Sequence, residues 1–149
     1  MNTSLDELIG LQTSQTHKKM LRYLNRSLEW YEITLEQWVV ISTLAEHESI
    51  NQKMLSIESG KDPTSLLRIL DILERKGLVE RRENKSDRRA SSLFITITGK
   101  RLKSEVAPYI EERFKEITAN IPDNDIEVYE QVLKKLEGNL DKLLIKQKL

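Results

Sequence analysis

Cysteine is absent from the 149 residues of this chain. Its absence excludes disulfides, thiolate metal sites, thiol nucleophiles and thiol redox sensing together, and leaves the compartment unmarked by redox chemistry. Glycine and proline are scarce, at five and three residues, while 32% of the chain is charged. Such a composition favours helices joined by few loops. No long apolar run occurs, and the opening stretch Met1-Asn-Thr-Ser-Leu-Asp-Glu-Leu is polar and acidic. The expectation is neither a signal peptide nor a membrane span, and hence a cytoplasmic protein. Five scattered glycines cannot form a dinucleotide fingerprint, and no phosphate loop, metal-ligand cluster or nucleophile–base pair is visible. An enzyme is therefore the weakest class, and no cofactor is expected. His17 and His47 lie too far apart for metal-ligand spacing.

Net charge is zero, with 24 basic and 24 acidic residues, but the two signs are not evenly spread. Residues 60–103 hold 12 Lys/Arg and 6 Asp/Glu, a local +6, and the remainder carries −6. Positive charge gathered in one segment is the footprint that nucleic-acid binding requires; clustering on a solvated face is the plainer alternative.

The chain is long enough to bury one core without staples. Leu5, Leu8, Ile9, Met20, Leu21, Leu24 and Leu28 recur at helical spacing. They predict one helix from about Ser4 to Trp30, with Ser4 and Glu7 as a capping box. Thr34 and Gln37 form a second box. It opens a helix with Trp38, Val39, Ile41, Leu44 and Ala45 on its apolar side, ending near His47. Asn51 caps a short helix that points Met54, Leu55 and Ile57 inward and stops at Gly60.

Asp62 as N-cap with Pro63 at the first helical position restarts the chain. At 100° per residue, Leu66, Ile69, Leu70 and Leu73 share one side, and Thr64, Arg68, Asp71 and Arg75 the other. Gly77 stops this helix. Leu78-Val79 and Leu93-Phe94-Ile95 predict two strands about a charged turn at residues 83–89. Thr96 caps a helix through Leu102, Val106, Ile110, Phe114 and Ile117, with Pro108 inside it. The last helix carries Ile126, Tyr129, Val132, Leu133, Leu136, Leu140, Leu143 and Leu144. That stripe is longer than a small domain needs for its own core, so the terminal helices expect a partner, most simply a second copy.

The run Asp71-x-Leu73-Glu74-Arg75-Lys76-Gly77-Leu78-Val79-x-Arg81, then Ser86-Asp87-Arg88-Arg89-Ala90, then Thr96-x-x-Gly99-Lys100, resembles the MarR (multiple antibiotic resistance regulator) family of bacterial winged-helix repressors. The resemblance implies a mainly α fold with a small β-hairpin (α+β), a winged helix-turn-helix with N- and C-terminal dimerisation helices. It implies a single domain over 1–149, a DNA-binding lobe over 33–98, and dimerisation helices over 1–31 and 97–149. It implies double-stranded DNA with a palindromic operator and a homodimer as partners. Thr64, Ser65 and Arg68 fall where the family's recognition helix meets DNA, and Arg89 where a wing arginine enters the minor groove, oriented by Asp87. Lys61, Lys85 and Arg88 would meet phosphates, with Ser86 in the same wing tip. Leu67 and Ile72 depart from the family's usual polar residues. Leu67 could touch a thymine methyl or pack on the preceding helix, and Arg68 could instead pair with Asp71.

By the same resemblance, an aromatic or lipophilic effector would sit near His17, Tyr23, Trp30, Tyr31 and Trp38, although aromatics there also suit core packing. The rival to a DNA-binding regulator is a winged-helix adaptor that binds protein.

Overall fold

The computed structural model describes the backbone of residues 3–84 and 87–148, and the side chains of residues 3–83 and 91–148. Two compact units, Met1–Arg113 and Phe114–Leu149, divide the chain. It is mostly helical, with one small antiparallel sheet.

In the first unit the N-terminal helical run is not a single α-helix. Asp6–Gln12 wind as a π-helix before α1 (Thr13–Leu28), and a 3-10 turn at Glu29–Tyr31 follows. The expected Ser4–Glu7 capping box does not form. Leu5 takes the N-cap position without a side-chain cap, and Ser4 hydrogen-bonds the Asp6 carboxylate instead, holding that carboxyl below its usual range. Leu5, Leu8 and Ile9 are exposed, so no core contact selects the tighter α winding here. Further along α1, Leu24 and Leu28 are buried as their spacing requires.

Thr34 and Gln37 do form a capping box. Thr34 Oγ1 accepts the Gln37 N–H at 3.2 Å, and Gln37 Oε1 accepts the Thr34 N–H at 3.1 Å. Together they open α2 (Leu35–Ala45), and Asn25 Oδ1 accepts the Leu35 N–H at 2.7 Å, tying α1 to its start. α2 buries Trp38, Val40, Ile41 and Leu44, and leaves Val39 only half-buried. Val40 was missing from the expected stripe because α2 packs on α1 and also on the elements that follow, so more than one stripe is covered.

A short strand the sequence did not announce, β1 (Ile50–Asn51), precedes α3 (Gln52–Ser59). Asn51 both ends that strand and caps α3, its Oδ1 accepting the Met54 N–H at 2.8 Å. Only Leu55 of α3 is buried. Met54 and Ile57 stay 42% and 65% exposed, against the expectation that both point inward. A two-turn helix has one core-facing row, which here runs through Gln52, Leu55, Ser56 and Ser59, so its flanking apolar residues remain outside.

Asp62 Oδ2 accepts the Ser65 N–H at 3.0 Å and starts α4 (Pro63–Arg75) with Pro63 in its first turn. Leu66, Ile69, Leu70 and Leu73 are buried. The helix closes with the paired bonds of a Schellman motif: Gly77 N–H to Glu74 carbonyl at 3.0 Å, and Leu78 N–H to Leu73 carbonyl at 2.9 Å. Gly77 has φ +72°, which a side chain would resist, and Leu73 and Leu78 on either side of the turn both belong to the shared core.

β2 (Val79–Asn84) and β3 (Asp87–Ile95) form the hairpin, and β1 adds a third strand on the far side of β3. The strands reach further than expected. Glu83 pairs Ser91 while Asn84 pairs Asp87, so residues 88–90 lie in a register irregularity where an open turn was anticipated. Val79, Leu93 and Ile95 face the core made by α2, α3 and α4.

α5 (Ile97–Ile117) begins at a latch. Thr96 Oγ1 donates to the Gly77 carbonyl at 2.6 Å and accepts the Gly99 N–H at 3.0 Å, while Thr96 N–H donates to the Leu78 carbonyl at 3.1 Å. A Cβ on Gly99 would fall well inside contact distance of that same carbonyl oxygen and 2.7 Å from Ile95 Cγ1. The end of α4 and the start of α5 thus share one backbone junction, and Gly99 lets them approach.

The second unit is dominated by α6 (Asp123–Gln147). None of its residues is buried: Tyr129, Val132, Leu140, Leu143 and Leu144 are exposed, and Leu133 and Leu136 are half-buried. Among the described residues no helix is long and apolar enough to cross a membrane, and no three His, Asp or Glu cluster as metal ligands.

Candidate nucleic-acid interface

α3 and α4 form the helix-turn-helix, joined by the turn at Gly60, whose φ is +67°. Ser56 Oγ donates to the Lys61 carbonyl at 2.6 Å across that turn. Because α4 buries every fourth and third residue beneath it, its opposite face presents Thr64, Arg68, Asp71 and Arg75 to solvent, with Ser65 half-buried beside its cap.

The charges on that face are not equivalent. Asp71 Oδ1 lies 2.9 Å from Arg81 Nη2, an ion pair by distance without the alignment of a hydrogen bond, and Glu74 Oε2 lies 3.9 Å from Arg81 Nε. Arg75 Nε donates to the Asp71 carbonyl at 3.3 Å, and Lys76 Nζ to the Glu32 carbonyl. Among the described residues Arg68 has neither ion-pair nor hydrogen-bond partner, so the Arg68–Asp71 pairing considered from sequence is not formed. Asp71 is turned toward Arg81 instead, which leaves the Arg68 guanidinium with its donors unspent.

Arg81 was missed as a candidate. It sits on β2 and reaches two carboxylates of α4, so the strand that leads into the wing is tied to the helix beside it. The signal was present in the spacing of Asp71, Glu74 and Arg81, but only folding brings position 81 back over the helix. Arg82 takes the other side of the strand, paired with Glu80 at 3.2 Å and with its guanidinium 4.1 Å above the Phe94 ring.

Lys61 is half-buried and lies 3.6 Å from Glu36, so its ammonium is partly occupied. Lys85 and Ser86 lie outside the described residues. Asp87, Arg88 and Arg89 belong to β3 by backbone, and their side chains lie outside the described set. Leu67 is 44% exposed, so packing on α3 covers only part of it. The five residues considered for an effector do not share one environment. His17 and Tyr23 are exposed on α1, Trp30 is 88% exposed, Trp38 is buried, and half-buried Tyr31 meets Tyr109 edge-on with ring centroids 5.3 Å apart. His47 contacts Glu58 at 2.6 Å and joins the loop after α2 to α3.

A helix-turn-helix followed by a two-stranded wing, with polar and guanidinium groups on the outer face of the second helix, is the architecture of a winged-helix DNA-binding protein. The MarR family profile matches residues 33–91. The transcriptional repressor MprA of Escherichia coli K12 is 31% identical over 127 residues, which span 84% of this chain and 72% of that protein. The chain belongs to the MarR family of transcriptional regulators. A mutant form of E. coli MarR complexed with operator DNA superposes with a TM-score of 0.78 at 27% identity, covering 90% of this chain and 99% of that one. CouR of Rhodococcus jostii RHA1 bound to p-coumaroyl-CoA gives a TM-score of 0.77 at 25% identity, with coverage of 91% and 95%. These similarities do not favour the protein-binding adaptor.

Proposed function

We propose that this regulator is a homodimeric repressor that holds a palindromic double-stranded operator and lets go when a small aromatic or lipophilic effector binds. The observation that carries the reading is the outward face of α4, where Arg68 stands exposed and unpartnered among the described residues while its neighbours are engaged. Arg68 would reach base edges or phosphates in the major groove, with Thr64 and Ser65 at the helix start. Arg89, oriented by Asp87, would enter the minor groove, and Lys61, Lys85, Ser86 and Arg88 would hold the backbone.

One recognition helix reads only a few base pairs, so specificity calls for two, about 34 Å apart, one turn of B-DNA. In this reading residues 33–98 are the reading head, and residues 1–31 and 97–149 set the spacing by pairing two copies. The exposed apolar residues of α6 support a partner of that kind, since a solvated row of this length is an interaction surface. Release by an effector is supported by an open groove lined by Asn25, Glu29, Glu32, Thr34, Gln37 and Lys76. It adjoins the contact of Lys76 with the Glu32 carbonyl, so a ligand there would act on the C-terminal end of α4.

Gel retardation tests the site. Arg68→Ala and Arg89→Ala should each weaken binding to the duplex upstream of the gene by about tenfold or more, consistent with 1–3 kcal/mol for a good base contact. Thermal unfolding should be unchanged, and each lost phosphate contact should lower the salt slope by about one. Parent-like retardation by both variants at moderate salt would remove the assignment.

A further inference from the structure

α4 carries one exposed side chain that neither the core nor the charged face accounts for. Of its large apolar residues, Leu66, Ile69, Leu70 and Leu73 are buried and Ile72 is half-buried; among the described residues of α4 only Leu67 stays exposed, at 44%. Helix formation does not call for leucine there, since arginine, lysine and glutamine form helices about as well. At about 100° per residue, Leu67 lies about 60° from Thr64 and about 40° from Asp71, on the flank of the face that holds Arg68. It is the fifth of the thirteen residues of α4, in the N-terminal half that a recognition helix turns toward base edges. One turn further on, Asp71 lies 2.9 Å from the Arg81 guanidinium, so the carboxylate next along that row is matched by a cation.

The major groove offers one distinctive apolar group, the C5-methyl of thymine, among hydrogen-bond donors and acceptors. A leucine pressed against those polar edges displaces their water and returns no hydrogen bond. Against a thymine methyl, both partners withdraw apolar surface from water. We propose that Leu67 is a specificity-determining residue that selects one thymine in each half-site by its methyl group. The assignment rests on the operator binding proposed above and adds to it. Arg68, the next residue, brings a guanidinium that phosphate or guanine can satisfy, whereas Leu67 favours one base over the other three.

Removing the methyl alone tests it. A duplex enriched from a random pool by the full chain is resynthesised with its thymines replaced one position at a time by deoxyuridine, which keeps the base pair and loses only the methyl group. In gel retardation at fixed salt, one thymine position per half-site should cost the parent about fourfold in affinity, and about fifteenfold when both half-sites are changed, the scale of one buried methyl each. Leu67→Ala should bind the unmodified duplex more weakly and be indifferent to deoxyuridine at that position. Leu67→Gln, which keeps the length and helix propensity of the side chain, should be indifferent as well, and circular dichroism establishes that both variants are folded. A parent that tolerates deoxyuridine at every position, or a Leu67→Ala variant that still loses fourfold at the same one, would overturn the assignment to Leu67 while the loss caused by Arg68→Ala leaves operator binding in place. A pool that yields no enriched sequence would instead remove the operator reading itself, and Leu67 with it.

Discussion

Replacing Gly99 by alanine sets two effects of opposite sign against each other. Alanine is favoured over glycine inside a helix by about 1 kcal/mol, which alone would stabilise α5. The added methyl, however, would meet the Leu78 carbonyl oxygen and stand 2.7 Å from Ile95 Cγ1. Both neighbours are held: the carbonyl accepts the Thr96 N–H, and Ile95 is packed against the core. Relief therefore requires α5 to retreat from the end of α4, loosening the latch through Thr96, and overpacking of this kind costs about 1–3 kcal/mol and occasionally more. Allowing for loss of the Thr96 bonds, a net destabilisation of about 2 kcal/mol is expected. For a chain of this length that corresponds to a fall in Tm of roughly 4–8 °C. Gly138→Ala is the matched control, since a Cβ there meets nothing within 4 Å in the middle of α6. It should raise Tm by a few degrees at the same protein concentration. Thermal unfolding followed at 222 nm decides the matter. If both alanines shift Tm upward, helix propensity wins at both positions and the close approach of α5 to Leu78 is wrong.

Arg81→Met keeps the stem but removes the charge that faces Asp71 and Glu74; with Asp71→Ala it should give a double-mutant coupling of about 0.5 kcal/mol, the scale of partly exposed ion pairs. The same variant should bind DNA more weakly than its small stability loss explains, because the wing strand is no longer tied to α4. Hydrogen bonds from Ser65 hold the Asp62 carboxyl below the usual carboxylate range. A depressed folded-state value means that the stabilisation is complete above the ordinary carboxylate pKa and fades as pH falls through the lowered one. Replacing Asp62 by serine should keep a cap but flatten that part of the acid-unfolding profile, and an unchanged profile would show that the cap does not titrate. Leu70→Ala, at a fully buried position in the core under α4, should cost about 2–5 kcal/mol in urea unfolding.

What could be read from the sequence was largely what neighbours in the chain decide among themselves. The start of α4 at Asp62-Pro63, its buried stripe and its glycine stop are local, and they specify that helix without help from tertiary contacts. The Thr34–Gln37 box is local too. The failures share a different cause. β1 exists only because Ile50 and Asn51 find Leu93 and Ser92 across the fold, and two residues carry no period of their own. Ser4 satisfied a capping pattern, but an exposed helix end with a competing carboxylate two residues on had no reason to honour it. Met54 and Ile57 suit a core by hydrophobicity alone, yet α3 is too short to bury a second row. Within the site, Arg68 was legible from helical phase, whereas its freedom from Asp71 depends on Arg81 arriving from β2.

Two copies are proposed to present α4 to successive turns of one duplex. Selecting bound duplexes from a random pool with the full chain tests it most directly. The enriched sequences should contain an inverted repeat whose half-sites are centred about 10–10.5 base pairs apart, with sedimentation giving two chains per duplex. Enrichment of a single unrepeated half-site, one chain per duplex, or no enrichment over the starting pool would contradict it.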